Sequence, residues 1–535
     1  MKGSVFTEVS TLGDLLLRAA EACPTRDALV LPDERIGYAV LVERALAVAK
    51  ALIAKGVKRG DHVAILIPNS CEYAVSLFAI TLTGAVAVPL NARHKATELG
   101  YIIRDAQAVA LLTSRHASDP VDFPTVLREA LDAEAAPHLR YRVLMRGEDD
   151  GEFESFSSFA RGSEHLPIAA IEALRRQVRV RDPAIIIYTS GTTAHPKGCV
   201  LCHEAITRGP VERSRYRLKA PGRDVVWGAG PLFHIGTLAP FIGTIGVAGT
   251  FLTDSHFEPG RSLALMYREG VTLAWPWFPA IVQGLLGHRD FDPARLGSLN
   301  QLFIIAPPTL VDAVQSVLPH TEVIQGCGMT ETAGLFAMCD PDESRESRST
   351  THGKPCPGVE VRIVDPETGD DLPDGTMGEI LVRGFNVMDE YWAAPGKTAE
   401  AFTPDGWLRT GDLYTRLPGG SLVFGGRHKD MLKVGGENVA AIEVEAFLCT
   451  HPAVRTAEVV GRPDPRLDEV PVAFVELEAG TQASEEALIA HCRGRIASYK
   501  VPRAIYFMQA ADWPMSATKI DKRALRERLK QADGS

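Results

Sequence analysis

The sequence has no excess of positive charge, no long apolar run and no pattern of paired cysteines, and each absence excludes a class of function. Acidic residues outnumber basic ones by 67 to 57, for a formal net charge of -10. That balance supplies no basic surface for nucleic acid, although a small phosphate site can still be built from amides and one or two cations. The longest apolar stretch, around Leu77 to Leu90, is interrupted by Thr81, Thr83 and Gly84 and is too short to span a bilayer. The opening segment, MKGSVFTEVSTLGDLLLRAAEACP, has no uninterrupted apolar core. It is predicted to form an amphipathic helix with Leu12, Leu15, Leu16, Leu17 and Ala20 on one face, not a signal peptide. Nine cysteines scattered over 535 residues predict reduced, mostly buried thiols and no disulfide framework. A cytoplasmic location is expected. Internal repeats and low-complexity segments are also absent.

What is present is ordinary globular composition, with 45% apolar and 23% charged residues in a chain too long for one domain. Short β-rich runs alternate with amphipathic helical stretches over the first two thirds. Asp61 to Ile67, Ala184 to Tyr188 and Gln301 to Ile305 read as buried strands, and Glu72 to Leu82 as a helix. This alternation predicts an α/β fold: a large N-terminal domain of layered sheets and helices around parallel strands. Near Gly425-Gly426-Arg427 the texture changes to a dense Gly and charge cluster, followed by a smaller α+β pattern. There Val439 to Leu448 and Ser484 to Ala497 read as helical and Val470 to Leu477 as a strand. The predicted domains are therefore 1–427 and 430–535, the second a usual size for an independent unit.

The most informative segment is Ile187-Tyr188-Thr189-Ser190-Gly191-Thr192-Thr193-Ala194-His195-Pro196-Lys197-Gly198. A buried strand runs into small and hydroxyl residues, then Pro and Lys, with a helix predicted after them. Small residues let backbone N–H groups approach phosphate oxygens, hydroxyls add donors, and Lys197 adds positive charge. Pro196 stands where a Walker A loop has glycine, and Gly198 where it has Ser or Thr, so this is a different phosphate loop. The Cys199-x-x-Cys202-His203 run matches a haem-attachment form, but without an export signal its two thiols read as packing residues.

The whole run resembles the phosphate loop of the acyl-adenylate-forming superfamily, which includes acyl-CoA synthetases, luciferases and nonribosomal peptide adenylation domains. One departure stands at Ala194, where the superfamily has a second glycine. Further motifs resemble it in the same order. Pro231-Leu232-Phe233-His234 is similar to the segment that borders and gates the acyl pocket. Gly326-Cys327-Gly328-Met329-Thr330-Glu331 resembles the aromatic-Gly-x-Thr-Glu motif, which implies Glu331 as a magnesium ligand and Thr330 as a phosphate contact. Cys327 replaces the aromatic that stacks on adenine, a loss on the order of 1 kcal/mol. Ile305-Ala306-Pro307-Pro308 departs from the Gly-Gly-Ala-Pro of relatives.

Trp407 and Thr410-Gly411-Asp412, with Gly426-Arg427, resemble the ribose segment: Asp412 accepts from the ribose hydroxyls and Arg427 donates to the nucleotide. Lys429 sits at the hinge position about which the small domain rotates. Lys433, Gly435 and Gly436 match the loop that lines the path of coenzyme A, where glycines suit close backbone approach. Pro514 to Lys522 resembles the C-terminal lysine motif, with Thr518 in place of a glycine and Lys519 as the adenylating lysine.

The resemblance covers essentially the whole chain. It implies a ligase that uses ATP and CoA as co-substrates with Mg2+, in fatty-acid or aromatic-acid metabolism. The substrate carboxylate attacks the α-phosphorus of ATP, and a thiol then takes the acyl group. Two other readings stay beside it: an adenylation enzyme that loads a carrier protein, and a nucleotide-binding protein that has lost catalysis, supported by Ala194, Cys327 and Thr518 alone. Trp275-Pro276-Trp277-Phe278-Pro279 falls at the acyl pocket floor, with Trp277 as a pocket residue, and favours a medium-chain, aromatic or alicyclic acid. Oligomeric state is not legible here, and a homodimer remains open.

Overall fold

The computed structural model describes residues 8–115, 121–133, 136–189, 196–218, 223–434, 437–464, 467–493, 495–496, 498–516 and 519–533. Two compact units divide the chain. The first comprises Met1–Glu360 and Val382–Leu408, and the second Val361–Leu381 and Arg409–Ser535.

Two large sheets organise the first unit. In one, Pro183–Thr189, Val86–Pro89, His62–Leu66, Ala110–Thr113, Tyr141–Leu144 and Glu154–Ser155 run parallel in that order. Lys197–Cys202 and Glu390–Tyr391 extend its edge antiparallel. In the other, Glu322–Ile324, Gln301–Ile304, Leu273–Trp277, Val225–Gly228, Thr250–Leu252 and Asp27–Val30 are parallel, and Arg35–Gly37 closes the edge antiparallel. All five residues of His62–Leu66 are buried, as expected of a parallel strand covered on both faces. The helix Cys71–Leu82 is buried on every side; Ser70 caps it by accepting from the Tyr73 N–H. The N-terminal helix Leu12–Ala22 buries Leu12, Leu15, Leu16 and Ala19, so the predicted apolar face holds with Ala19 in place of Leu17 and Ala20.

Parallel strands bring their carboxyl ends to one edge, where α/β folds place ligands. The segments that follow Gly228, Trp277, Ile304 and Ile324 all start from that edge of their sheet, and they carry four of the motifs named above.

The second unit pairs Glu437–Ala440, Met431–Val434, Asp468–Leu477 and Val454–Asp464 antiparallel, with Ile505–Phe507 added parallel. Ala441–Leu448, Glu485–Cys492 and Lys522–Asp533 pack onto this sheet around Val444, Leu488 and Leu525. The four-stranded sheet Val359–Val364, Met377–Gly384, Leu408–Arg416, Leu422–Arg427 belongs to this unit for most of its length. Leu408–Arg416 and Leu422–Arg427 pair register to register, Asp412 opposite Arg427, and 409–427 therefore groups with the C-terminal residues.

Three local expectations change. The residues after the phosphate loop form a strand, Lys197–Cys202, before the helix His203–Glu212, because hydrogen bonding to Pro183–Thr189 outweighs helix formation. The helix expected over 484–497 stops at Cys492, and Glu437–Ala440 is extended before its helix begins at Ala441. Seven of the nine free cysteines are buried, as the composition implied. Among the described residues no helix is long and apolar enough to cross a membrane.

Candidate active site

Thr189 ends one strand and lies in register with Lys197, which begins the next. The residues between them include Ser190, Gly191, Thr192 and Thr193, which lie outside the described residues. Gly198 is fixed by packing: a Cβ there would meet the Ile186 side chain at 2.8 Å and the Tyr188 ring at 3.0 Å. Cys199 and Cys202 are buried in the same strand, and burial, followed by the charge of Glu331, pushes the Cys199 thiol well up. They are packing thiols.

Glu331 sits in a 3-10 turn over Thr330–Thr332 that ends in a left-handed Ala333, φ 48°. Thr332 holds the turn: its hydroxyl accepts from the Met329 N–H at 3.1 Å and donates to the Gly334 carbonyl at 2.7 Å. Asn386 donates to the Thr332 carbonyl at 3.1 Å. The preceding strand Gly326–Met329 pairs antiparallel with Gly334–Met338, with a bulge between Cys327 and Gly328. A Cβ at Gly328 would meet the Gly334 carbonyl oxygen at 2.2 Å, so this motif glycine serves close backbone approach. Cys327 is buried.

One residue absent from the motif reading joins these parts. The Tyr391 hydroxyl donates to Glu331 Oε1 at 2.8 Å, and Lys197 Nζ lies 4.2 Å from the centroid of the Tyr391 ring. Tyr391 is held in register opposite Cys199, and the Met388 N–H donates to the Glu331 carbonyl at 2.8 Å. Burial, then the negative charge of Glu331, raises the Tyr391 phenol far above its ordinary value, which keeps it a proton donor. The cation–π contact and the charge-assisted hydrogen bond fix Lys197 and Glu331 relative to one another.

The residues expected to line the acyl side gather as well. Asn69 accepts from the Leu232 N–H at 2.7 Å and donates to the Gly230 carbonyl at 2.9 Å, while the Tyr73 hydroxyl donates to the Leu232 carbonyl at 2.8 Å. These bonds hold the chain that leads to buried Phe233 and to His234, which precedes the helix Ile235–Gly246. A Cβ at Gly236 would meet the Trp277 ring at 3.4 Å, so this helix start and Trp277 are neighbours. Trp275 stacks on Phe303 with centroids 4.4 Å apart, and Trp277 meets Phe303 edge-on at 4.9 Å. The Ile305 N–H donates to the Trp277 carbonyl at 3.0 Å, and Ala306 N–H to Gln325 Oε1 at 3.1 Å, which ties the 305–308 loop between them. Among the described residues, the indole N–H groups of Trp275 and Trp277 are buried without a hydrogen-bond partner. Each such donor costs about 1–3 kcal/mol.

In the second unit, Arg427 Nε lies 2.9 Å from Asp412 Oδ1. Lys519 is exposed as a residue, yet burial around its ammonium end, then the positive charge of Arg427, lowers its pKa from the ordinary lysine value, with Asp412 opposing. Asp412, Arg427 and Lys519 are thus electrostatic neighbours. The backbone of Lys429 lies in a 3-10 turn and that of Lys433 in a strand, while Gly435 and Gly436 lie outside the described residues.

The motif for AMP-binding enzymes matches residues 16–392, and that for the AMP-binding enzyme C-terminal domain matches 443–519. The chain belongs to the AMP-binding enzyme family. It is 33% identical to a methyl-dioxo-octahydroindenyl propanoyl:CoA ligase of Mycobacterium tuberculosis, over 98% of this chain and 100% of that one. It is 30% identical to the mitochondrial medium-chain acyl-CoA ligase ACSF2 of Danio rerio, over 98% and 89% of the two chains. The crystal structure of the anthranilate CoA ligase AuaEII with anthranoyl-AMP superposes with a TM-score of 0.88 at 28% identity, covering 100% of both chains. This AMP-binding enzyme is accordingly an ATP-dependent acid–CoA ligase of the acyl-adenylate-forming superfamily: it converts a carboxylic acid and ATP to acyl-AMP and pyrophosphate, then transfers the acyl group to CoA.

Proposed function

We propose that Lys197, Thr330, Glu331 and the 189–193 segment handle the triphosphate in the adenylation step. We further propose that Asp412 and Arg427 hold the ribose and that Lys519 supplies positive charge to the same reaction. The observation that carries the reading is the Lys197–Tyr391–Glu331 chain, in which one buried phenol holds a cation and a carboxylate from distant segments.

Among the described residues no three His, Cys, Asp or Glu side chains gather to hold a metal by themselves. Mg2+ fits instead as magnesium-ATP. One Glu331 oxygen takes the Tyr391 hydroxyl and the other accepts no hydrogen bond among the described residues, so it suits a hard cation whose remaining ligands are phosphate and water oxygens. When bound, the ion would neutralise charge on the phosphate oxygens. The carboxylate oxygen of the substrate bonds to the α-phosphorus as the bond to the β-phosphate breaks, and pyrophosphate leaves with that electron pair. This chain's own part is to align the reactants and to stabilise developing negative charge through Lys197, Thr330 and Lys519. In the second step the CoA sulfur attacks the acyl carbonyl carbon, the thiol proton passes to solvent, and AMP leaves with the electrons of the anhydride C–O bond. Lys429 is the hinge between the steps, and Lys433, Gly435 and Gly436 border the CoA arm. The acyl group is a medium-chain, aromatic or alicyclic acid, supported by the ring cluster of Trp275, Trp277 and Phe303 beside the Phe233–His234 segment, and by the acids named for the relatives. The reaction takes place in the cytoplasm.

Tyr391→Phe tests the central contact, because it keeps a ring beside Lys197 and deletes only the hydroxyl on Glu331. Adenylation at limiting Mg2+ is expected to fall about tenfold, the equivalent of one hydrogen bond to a charged group, and to recover substantially at high Mg2+. The check is the Mg2+ dependence of ATP–pyrophosphate exchange together with Mn2+·ATP binding followed by electron paramagnetic resonance. Unchanged Mg2+ dependence and unchanged Mn2+ binding would remove Tyr391 and Glu331 from the metal-nucleotide site.

A further inference from the structure

We infer that Lys522 is a positioning residue for adenylation: its bridges to Glu445 and Glu458, with the Arg526–Asp430 pair one helical turn on, set where the Lys519 ammonium stands against Asp412 and Arg427. The inference rests on the adenylating role proposed for Lys519. Lys519–Ile520 forms one side of a two-stranded sheet, with Met515–Ser516 on the other. Two residues per strand do not hold a hairpin rigid by themselves. The residues after it do. The Asp521 N–H donates to the Pro514 carbonyl at 2.7 Å and closes the hairpin. Asp521 Oδ1 accepts from the Arg523 N–H at 2.9 Å and starts the helix Lys522–Asp533.

Lys522 is the first residue of that helix and stands three residues from Lys519. Its ammonium donates to Glu445 Oε1 and lies 3.4 Å from Glu458 Oε2. One carboxylate comes from the helix Ala441–Leu448, the other from the strand Val454–Asp464. Glu445 Oε1 also accepts from the Val459 N–H at 2.8 Å, which ties it to that strand. The side chains of Lys522, Glu445 and Glu458 are 17%, 13% and 20% exposed, so water screens these pairs little. Arg526, four residues on, lies 2.7 Å from Asp430 Oδ1. Asp430 ends the turn that begins directly after Arg427. A closed circuit results: Arg427 to Asp430 along the chain, Asp430 to Arg526 by an ion pair, Arg526 to Lys522 by one helical turn, and Lys522 to Lys519 along the chain.

Glu445, Glu458 and Asp430 share the two cations Lys522 and Arg526. Burial, then the charge of Glu445, pushes the Glu458 carboxyl up to about 7, a sign of what the arrangement costs. Packed apolar side chains would serve stability as well, so the contribution of the cluster is its geometry.

Lys522→Met is expected to lower acid-dependent ATP–pyrophosphate exchange about 10- to 100-fold, the effect of misplacing a charge by about 1 Å, while acyl-CoA formation from supplied acyl-AMP stays close to the wild-type rate. The ratio of the two half-reactions within one variant is independent of how much of it is folded. Lys522→Arg should recover most of the exchange. Because K522M leaves two buried carboxylates without their cation, the same measurements are made on Lys522→Met combined with Glu445→Gln and Glu458→Gln, which should keep the wild-type melting temperature and show the same selective loss. Adding K522M to Lys519→Ala should lower exchange no further, since Lys522 acts through Lys519. Equal loss of both half-reactions in the triple variant would make Lys522 a structural brace and overturn the inference. So would a loss that multiplies with that of K519A, although the role of Lys519 would then stand. If K519A alone left exchange intact, the Lys519 reading would fall, and this inference with it.

Discussion

Lys519→Ala is expected to lower acyl-AMP formation by about 100- to 1000-fold while acyl-CoA formation from supplied acyl-AMP proceeds at close to the wild-type rate. The asymmetry follows from charge. The first step gathers negative charge on a phosphoryl group as pyrophosphate departs, and the proposed role of the Lys519 ammonium is to stabilise that charge. The second step releases AMP from a mixed anhydride, and the nucleophile arrives with CoA. Lys519 has Arg427 and Asp412 as its electrostatic neighbours; burial, then the charge of Arg427, lowers its pKa from the ordinary lysine value, and Asp412 opposes this. Lys519→Arg separates charge from shape, since a guanidinium keeps the charge in a different geometry. It should restore part of the first step. Equal loss of both half-reactions in K519A would contradict this division of labour.

The second large effect is expected at Glu331. Glu331→Gln keeps the volume of the side chain and an oxygen able to accept from the Tyr391 hydroxyl, and removes only the negative charge. Adenylation should fall about 100- to 1000-fold, with a strongly raised Mg2+ requirement and an unchanged melting temperature. Because Glu331 is buried in a turn braced by Thr332 and Asn386, the amide should not disturb the backbone. Stopped-flow or exchange measurements over a range of Mg2+ concentrations check this. A loss of stability with a normal Mg2+ dependence would make Glu331 a structural carboxylate instead.

Much of the fold and of the candidate site is legible in the residues themselves, and the reason differs between features. Continuous apolar strands such as His62–Leu66 are legible because a parallel strand is buried on both faces and has no polar alternation to obscure it. Gly328 is legible as part of a motif, although only the structure gives its cause, the 2.2 Å approach that a Cβ would make to the Gly334 carbonyl. The strand Lys197–Cys202 is misread as helix because its decisive partner, Pro183–Thr189, acts through sheet hydrogen bonds that no local pattern of KGCVLC reveals. Tyr391 is missed for a related reason. Its neighbours in sequence, Met388 to Trp392, look like an ordinary amphipathic turn, while its contacts, Lys197 and Glu331, belong to two other segments of the chain. The unpaired indoles of Trp275 and Trp277 are beyond any sequence reading, since composition says that a ring is buried but not whether its N–H is satisfied.

The most direct measurement is acid-dependent exchange of labelled pyrophosphate into ATP by the purified chain, with Mg2+ present and CoA absent. Label should enter ATP only when a suitable medium-chain, aromatic or alicyclic acid is added, and adding CoA should turn that equilibrium into net release of AMP and acyl-CoA. Exchange that occurs without any acid, or fails with every acid until CoA is supplied, would mean that no free acyl-adenylate forms first.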